Sequence, residues 1–172
     1  MELYVERGFE QTTVAEIAQR AGLTARTFFR YFADKREVLF AGSASLQESL
    51  VSALDAAPDS ASPMAAVSAA LDAAAVVLGQ HREFSRQRHS VITANAELRE
   101  RELIKMASLS EALADGLQRR GVADPDAKLA AEAGVAVLRL AFERWVSEPG
   151  RRGLSKIMRE SFDQLKALTA AG

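Results

Sequence analysis

Apolar side chains recur along this chain three and four residues apart, the spacing of a helix face. No stretch alternates apolar with polar for long enough to read as a strand. Val14, Ile17 and Ala18 make one stripe, and Phe28 and Phe32, four apart, make another. A helix is predicted through Val38, Leu39 and Leu46 to about Leu54, followed by a polar loop from Asp55 to Ser62. An alanine- and valine-rich helix runs from Pro63 to about Leu78, Gly79 breaks it, and a shorter one spans Arg82 to Thr93. A long helix follows from Glu97 to about Arg120. Asp126 to Val146 is apolar around most of its circumference, and the last helix carries Leu154, Ile157, Met158, Phe162, Leu165 and Leu168. The predicted fold class is all-α.

Capping chemistry marks the ends of these segments. Thr13 and Glu16 have the spacing at which each side chain satisfies an orphan amide of the other, and Asp34 with Glu37 repeats it. Gly22 stands where a helix ends in positive φ, Leu23 is expected to turn inward, and Thr24 caps the next helix. Ser62 precedes Pro63, whose missing amide is harmless in a first turn. Asn95 is expected to cap the long helix, and Asp124 with Pro125 to open the one after it. Two short capped helices, with small Ala18 at their crossing, form a helix-turn-helix signature.

The exposed side of the second short helix points to DNA. Removing its inward residues leaves Ala25, Arg26, Thr27, Phe29, Arg30 and Tyr31, with Lys35 and Arg36 just beyond. From Thr24 to Arg36 four basic residues (Arg26, Arg30, Lys35, Arg36) face one acidic residue, Asp34, a local balance of +3 in a chain of net charge −1. An arginine gripping O6 and N7 of guanine discriminates by roughly 1–3 kcal/mol. Thr24, Tyr31 and Lys35 suit phosphate contacts, which position a protein without reading sequence.

From Gly8 to Phe40, GFEQTTVAEIAQRAGLTARTFFRYFADKREVLF resembles the DNA-binding domain of the TetR family of transcriptional regulators. The resemblance implies a three-helix DNA-binding head over residues 1–43 and a helical ligand-binding and dimerisation body over 44–172. It further implies repression of a double-stranded DNA operator, relieved by a small hydrophobic or amphipathic effector. Thr13 and Thr24 match phosphate-contacting caps; Ala25, Arg26 and Thr27 match the base-reading start of the recognition helix. Phe29 and Tyr31 match aromatic positions beside the DNA backbone, and Lys35 matches a phosphate-binding lysine. Most relatives have Tyr at Phe29, so a hydroxyl–phosphate bond is expected to be missing, with a thymine-methyl contact as a replacement. Arg26 replaces a residue that is often small, which implies a different preferred base. In the family a longer first helix and a basic arm lead into Gly8; here only Met1 to Arg7 stand there, a short first helix, so either the sequence begins late or part of that helix and arm is lacking. The segment ANAELRERELIKMA resembles the body of actinobacterial-type members.

Composition narrows the picture without identifying anything. The chain has 172 residues, and an apolar share of 48% suffices for a proper core. With no cysteine, disulfides and cysteine-ligated metals are excluded. No signal peptide or membrane-length apolar run is visible, so a cytoplasmic protein with no membrane partner is expected. No cofactor motif, GxSxG elbow, glycine-rich phosphate loop or HExxH pair occurs, so no enzyme is expected.

The last two helices are read as an association surface. Small residues along the penultimate helix permit close approach, and in the resembled family this pair forms a four-helix bundle with its symmetry mate. The expected homodimer interface comprises Leu129, Ala133, Val137, Leu140, Leu154, Ile157, Met158, Phe162 and Leu165. Candidate effector contacts are Phe84, Met106, Phe142 and Trp145, with His81, Arg88 or His89 as polar handles. The competing reading is a helical protein–protein interaction module whose head has weakened DNA affinity.

Overall fold

The computed structural model describes residues 1–150 and 152–170, and its regular elements are all helical. Three short helices come first: α1 (Glu2–Arg7), α2 (Val14–Arg20) and α3 (Ala25–Tyr31). A 3₁₀ turn, Glu37–Phe40, leads into α4 (Ser43–Asp55), α5 (Pro63–Leu78), α6 (Arg82–Ala94), α7 (Ala96–Arg119), α8 (Asp124–Ser147) and α9 (Leu154–Ala170). No single helix among the described residues is long and apolar enough to cross a membrane.

Two apolar cores organise these elements. The larger joins α4, α5, α7, α8 and α9 around Leu50, Leu71, Leu113, Leu117, Trp145 and Ile157. The smaller contains Tyr4, Phe9, Leu39 and Phe40 from the N-terminal segment, but also Val91, Ile92 and Leu98 from α6 and α7. The head therefore closes onto the body as well as onto itself. Polar groups frame the same joint. Arg101 Nε donates to Glu37 at 2.6 Å and Lys105 Nζ donates to its other oxygen at 3.3 Å. This holds the Glu37 carboxyl below the usual range.

Several expectations require correction. The helix predicted from Glu37 to Leu54 is two elements, because Glu37 turns to the cations of α7 instead of back to its own cap. Asp34 keeps its half of the arrangement, accepting the amides of Arg36 at 2.8 Å and Glu37 at 3.3 Å. Asn95 stands at the N-cap of α7 as expected, but its side chain makes no cap bond there; its amide donates instead to the carbonyl of Val91 at 2.6 Å and closes α6. Leu23 does not turn inward but is 45% exposed.

The expected association set also splits. Leu154, Ile157, Met158 and Phe162 of α9 are buried in their own chain, as is Val137 of α8, because α9 packs onto α5 and α8. Ala133 and Leu165 are half-buried. Leu129 and Leu140 remain 71% and 54% exposed. With Ala133 and Ala136 they form a stripe along α8 at helical spacing.

Close packing between α5 and α8 depends on Gly134, where an added Cβ would lie 2.5 Å from Cγ1 of fully buried Val67. Valine is stiff at χ1 and cannot swing clear. Gly134→Ala should therefore destabilise the protein by about 1–2 kcal/mol, an overpacking penalty only partly offset by better helix propensity. Urea denaturation followed by circular dichroism measures it; an unchanged or raised midpoint contradicts this packing.

Candidate nucleic-acid interface

The recognition element is built from its caps inward. The amide of Glu16 donates to Thr13 Oγ1 at 3.2 Å and the amide of Thr13 to Glu16 Oε2 at 2.9 Å, so both halves of the capping box are made. Gly22 has φ +68° and so supplies the left-handed turn that closes α2. Leu23 then donates its amide to the carbonyl of Ala18 at 2.8 Å. Thr24 caps α3 by accepting the amide of Thr27 at 3.1 Å. Ala18, 1% exposed, lets α2 and α3 cross closely, and Phe28, 3% exposed, is the inward anchor of α3. Its ring lies 5.3 Å from that of half-buried Phe32.

With Phe28 locked inward, the opposite face of α3 is presented to solvent. Ala25, Arg26, Phe29, Arg30 and Tyr31 are exposed there, beside half-buried Thr27 and the exposed caps Thr13 and Thr24. Arg30 lies 4.9 Å from the Tyr31 ring centroid and donates to its hydroxyl at 3.0 Å, which stiffens both side chains. Arg26 has no ion pair among the described residues.

The other two cations of the predicted basic cluster are engaged within the molecule. Arg36 forks onto Asp34, which holds that carboxyl below its usual range, and lies 3.9 Å from Glu97. Lys35 Nζ donates to the carbonyls of Phe9 at 2.8 Å, Glu10 at 3.1 Å and Thr12 at 3.1 Å, and sits 4.4 Å from the Phe9 ring centroid. An ammonium has three donors. All three are used within the head, so Lys35 acts here as a staple of the head.

Pattern alone missed the residues that hold this staple in place. Tyr4 donates its hydroxyl to the Lys35 carbonyl at 2.6 Å, and burial keeps its phenol well above the usual tyrosine range and protonated. Thr12, 1% exposed, donates to the carbonyls of Gly8 at 2.8 Å and Leu3 at 3.2 Å. Arg20 pairs with Glu2 at 2.7 Å and Glu6 at 3.7 Å, and Arg7 pairs with Glu16, tying short α1 to α2.

These features match known proteins. The family model of bacterial regulatory proteins of the TetR family covers residues 1–41, and that of the MftR C-terminal domain covers residues 61–170. The chain belongs to the TetR family. The HTH-type transcriptional regulator TcmR of Streptomyces glaucescens is 39% identical over 64 residues, 37% of this chain and 28% of TcmR, so the match spans just over a quarter of that regulator. The TetR family regulator PfmR of Thermus thermophilus is 26% identical, with a TM-score of 0.54 over 95% of this chain and 92% of its own. A transcriptional regulator from Aquifex aeolicus is 19% identical with a TM-score of 0.58, covering 97% and 93% of the two chains, and shares the fold. This TetR-family chain thus carries a helix-turn-helix head joined to a helical body.

The residues proposed for an effector do not converge on one cavity. His81 and Phe84 line an open cleft of about 510 Å³ at the start of α6, and Phe84 also borders a second of about 490 Å³ against Met1, Leu3, Ile17 and Val38. Trp145 is a core residue, with Phe142 at 5.9 Å between it and His89, and Met106 packs at the edge of the same core. Arg88 faces the head, donating to the carbonyl of Leu39. The sequence pattern grouped these residues by type, whereas helix phase separates them.

Lys35→Met should lower stability by about 1–3 kcal/mol through three orphaned carbonyls, and Phe28→Ala by about 3–5 kcal/mol through an emptied core site. Thermal melts read both effects. A Lys35→Met protein as stable as its parent, changed only in the salt dependence of DNA binding, would restore the phosphate role.

Proposed function

We propose that this TetR-family regulator is a homodimeric repressor that binds a near-palindromic operator and leaves it when a small hydrophobic or amphipathic effector binds. One observation carries the DNA reading: Arg26 and Arg30 stand exposed on a short capped helix whose opposite face is locked by buried Phe28. Arg26, the second residue of α3, is the base reader, with Ala25 and Thr27 beside it. Thr13, Thr24 and Tyr31 hold the phosphates. Phe29, 56% exposed and lacking a hydroxyl, meets a thymine methyl. A head with few open cations in a chain of net charge −1 favours discrimination over indiscriminate adhesion.

The dimer reading rests on the α8 stripe of Leu129, Ala133, Ala136 and Leu140, with Leu168 of α9, 79% exposed, near the chain end. A dimeric regulator that reads two half-sites one turn of DNA apart needs its recognition helices roughly 34–36 Å apart. The effector reading is supported by exposed Phe84 and the open clefts it borders.

The test is selection of genomic fragments by the purified protein at near-physiological salt, followed by fluorescence anisotropy. An inverted repeat should be enriched, and its affinity should fall linearly with salt on logarithmic axes. Arg26→Ala should reduce base discrimination by roughly 1–3 kcal/mol at one position of each half-site while leaving the salt slope nearly unchanged. No enrichment by a folded protein would favour the protein-interaction reading.

A further inference from the structure

Helix α6 is gripped by three of its own arginines, two near its N-terminus and one at its middle. At its N-terminus Arg82 donates to the carbonyls of Trp145, Glu148 and Gly150, and Arg86 Nε donates to the carbonyl of Val146 at 3.0 Å. Trp145 and Val146 carry orphan carbonyls at the C-terminal end of α8, and Glu148 and Gly150 follow it, so cations here meet the negative end of that helix. Further along, Arg88 enters the joint between head and body with a side chain only 21% exposed. Its Nε donates to the carbonyl of Leu39 at 2.7 Å, its Nη1 to Glu102 at 3.3 Å, and its guanidinium lies 5.0 Å from the Phe40 ring centroid. Leu39 and Phe40 belong to the turn just after the recognition helix. Val91 and Ile92, one turn on, complete the contact through the smaller core.

This set of contacts is geometrically demanding. One planar fork serves a carbonyl and a carboxylate while its face lies against a ring, which an ammonium cannot reproduce. Partly buried ion pairs of this kind add little net stability, and their best-attested use is fixing one arrangement among alternatives. Burial also lowers the Arg88 pKa from its ordinary value, partly countered by Glu102, so the charge is costly unless this geometry is kept.

We infer that Arg88 is a positioning residue for DNA binding, fixing the angle of the head on the body and thereby the half-site spacing that a dimer accepts. The half-site consequence rests on the DNA-binding and dimer readings above; the angle does not. Helix α6 acts as a strut, clamped by Arg82 and Arg86 to α8, which carries the proposed dimer stripe, and by Arg88 to the head.

The experiment compares the full chain with its Arg88→Met variant by two readouts. In selection from random-sequence DNA, the variant should keep the half-site bases of the parent but accept a wider range of spacings. Its affinity for the parent's preferred operator should fall about tenfold as preorganisation is lost. Independently, because the chain has no native cysteine, spin labels at Gln19→Cys and Asp115→Cys, diluted with unlabelled protein, report the head-to-body distance. Its distribution should broaden in Arg88→Met. A folded variant with the parent's spacing profile or the parent's distance distribution overturns the inference. If the parent itself selects no DNA, the DNA-binding reading fails, and the distance distribution alone judges Arg88. If Arg88→Met does not fold, Arg88→Lys passes through the same readouts, where a smaller broadening supports the role and an unchanged profile overturns it.

Discussion

Burial of Tyr4, Phe9, Leu39 and Phe40 against Val91, Ile92 and Leu98 is the contact on which the recognition surface depends. A segment of about forty residues rarely builds a sufficient core alone. Here the deficit is met by two body helices that lend their apolar ends. Each large apolar side chain placed there contributes roughly 1.5–3 kcal/mol, so the shared core is of the same order as the net stability of a whole domain. The head thereby gains its order from the body, and its orientation becomes a property of the whole chain.

Electrostatics follow the same division. Of the cations near the recognition helix, Lys35 and Arg36 serve carbonyls and a carboxylate within the molecule, whereas Arg26 and Arg30 face outward. Arg88, Arg101 and Lys105 secure the joint from the body side. A count of charges therefore overstates the open positive surface. Much of the basic character around the helix-turn-helix is structural.

The body shows how little an amphipathic pattern says about which partner covers it. Helix α9 is apolar on one face, and that face is filled by α5 and α8 of the same chain, while α8 keeps Leu129 and Leu140 toward solvent. The same leucines and isoleucines could have faced a neighbouring helix or a second copy, and the intrachain contact took most of them. What remains for a second copy is a narrower stripe of leucines and alanines.

Local chemistry made much of this protein legible. The Thr13–Glu16 box, Gly22, the Thr24 cap, the inward Phe28 and the Ser62–Pro63 start are decided within a few residues, and each stands where its spacing indicates. So do the all-helical class and the exposed residues of the recognition helix, because period and capping are properties of neighbours in sequence. Only tertiary structure decided which cations are open, that Leu23 faces solvent, that Glu37 leaves its own cap for α7, that α9 faces inward, and that Arg88 belongs to the joint instead of a pocket. In each of these cases a side chain can reach several partners, some tens of residues away along the chain. Its choice is set by how the helices pack against one another, which no short window encodes.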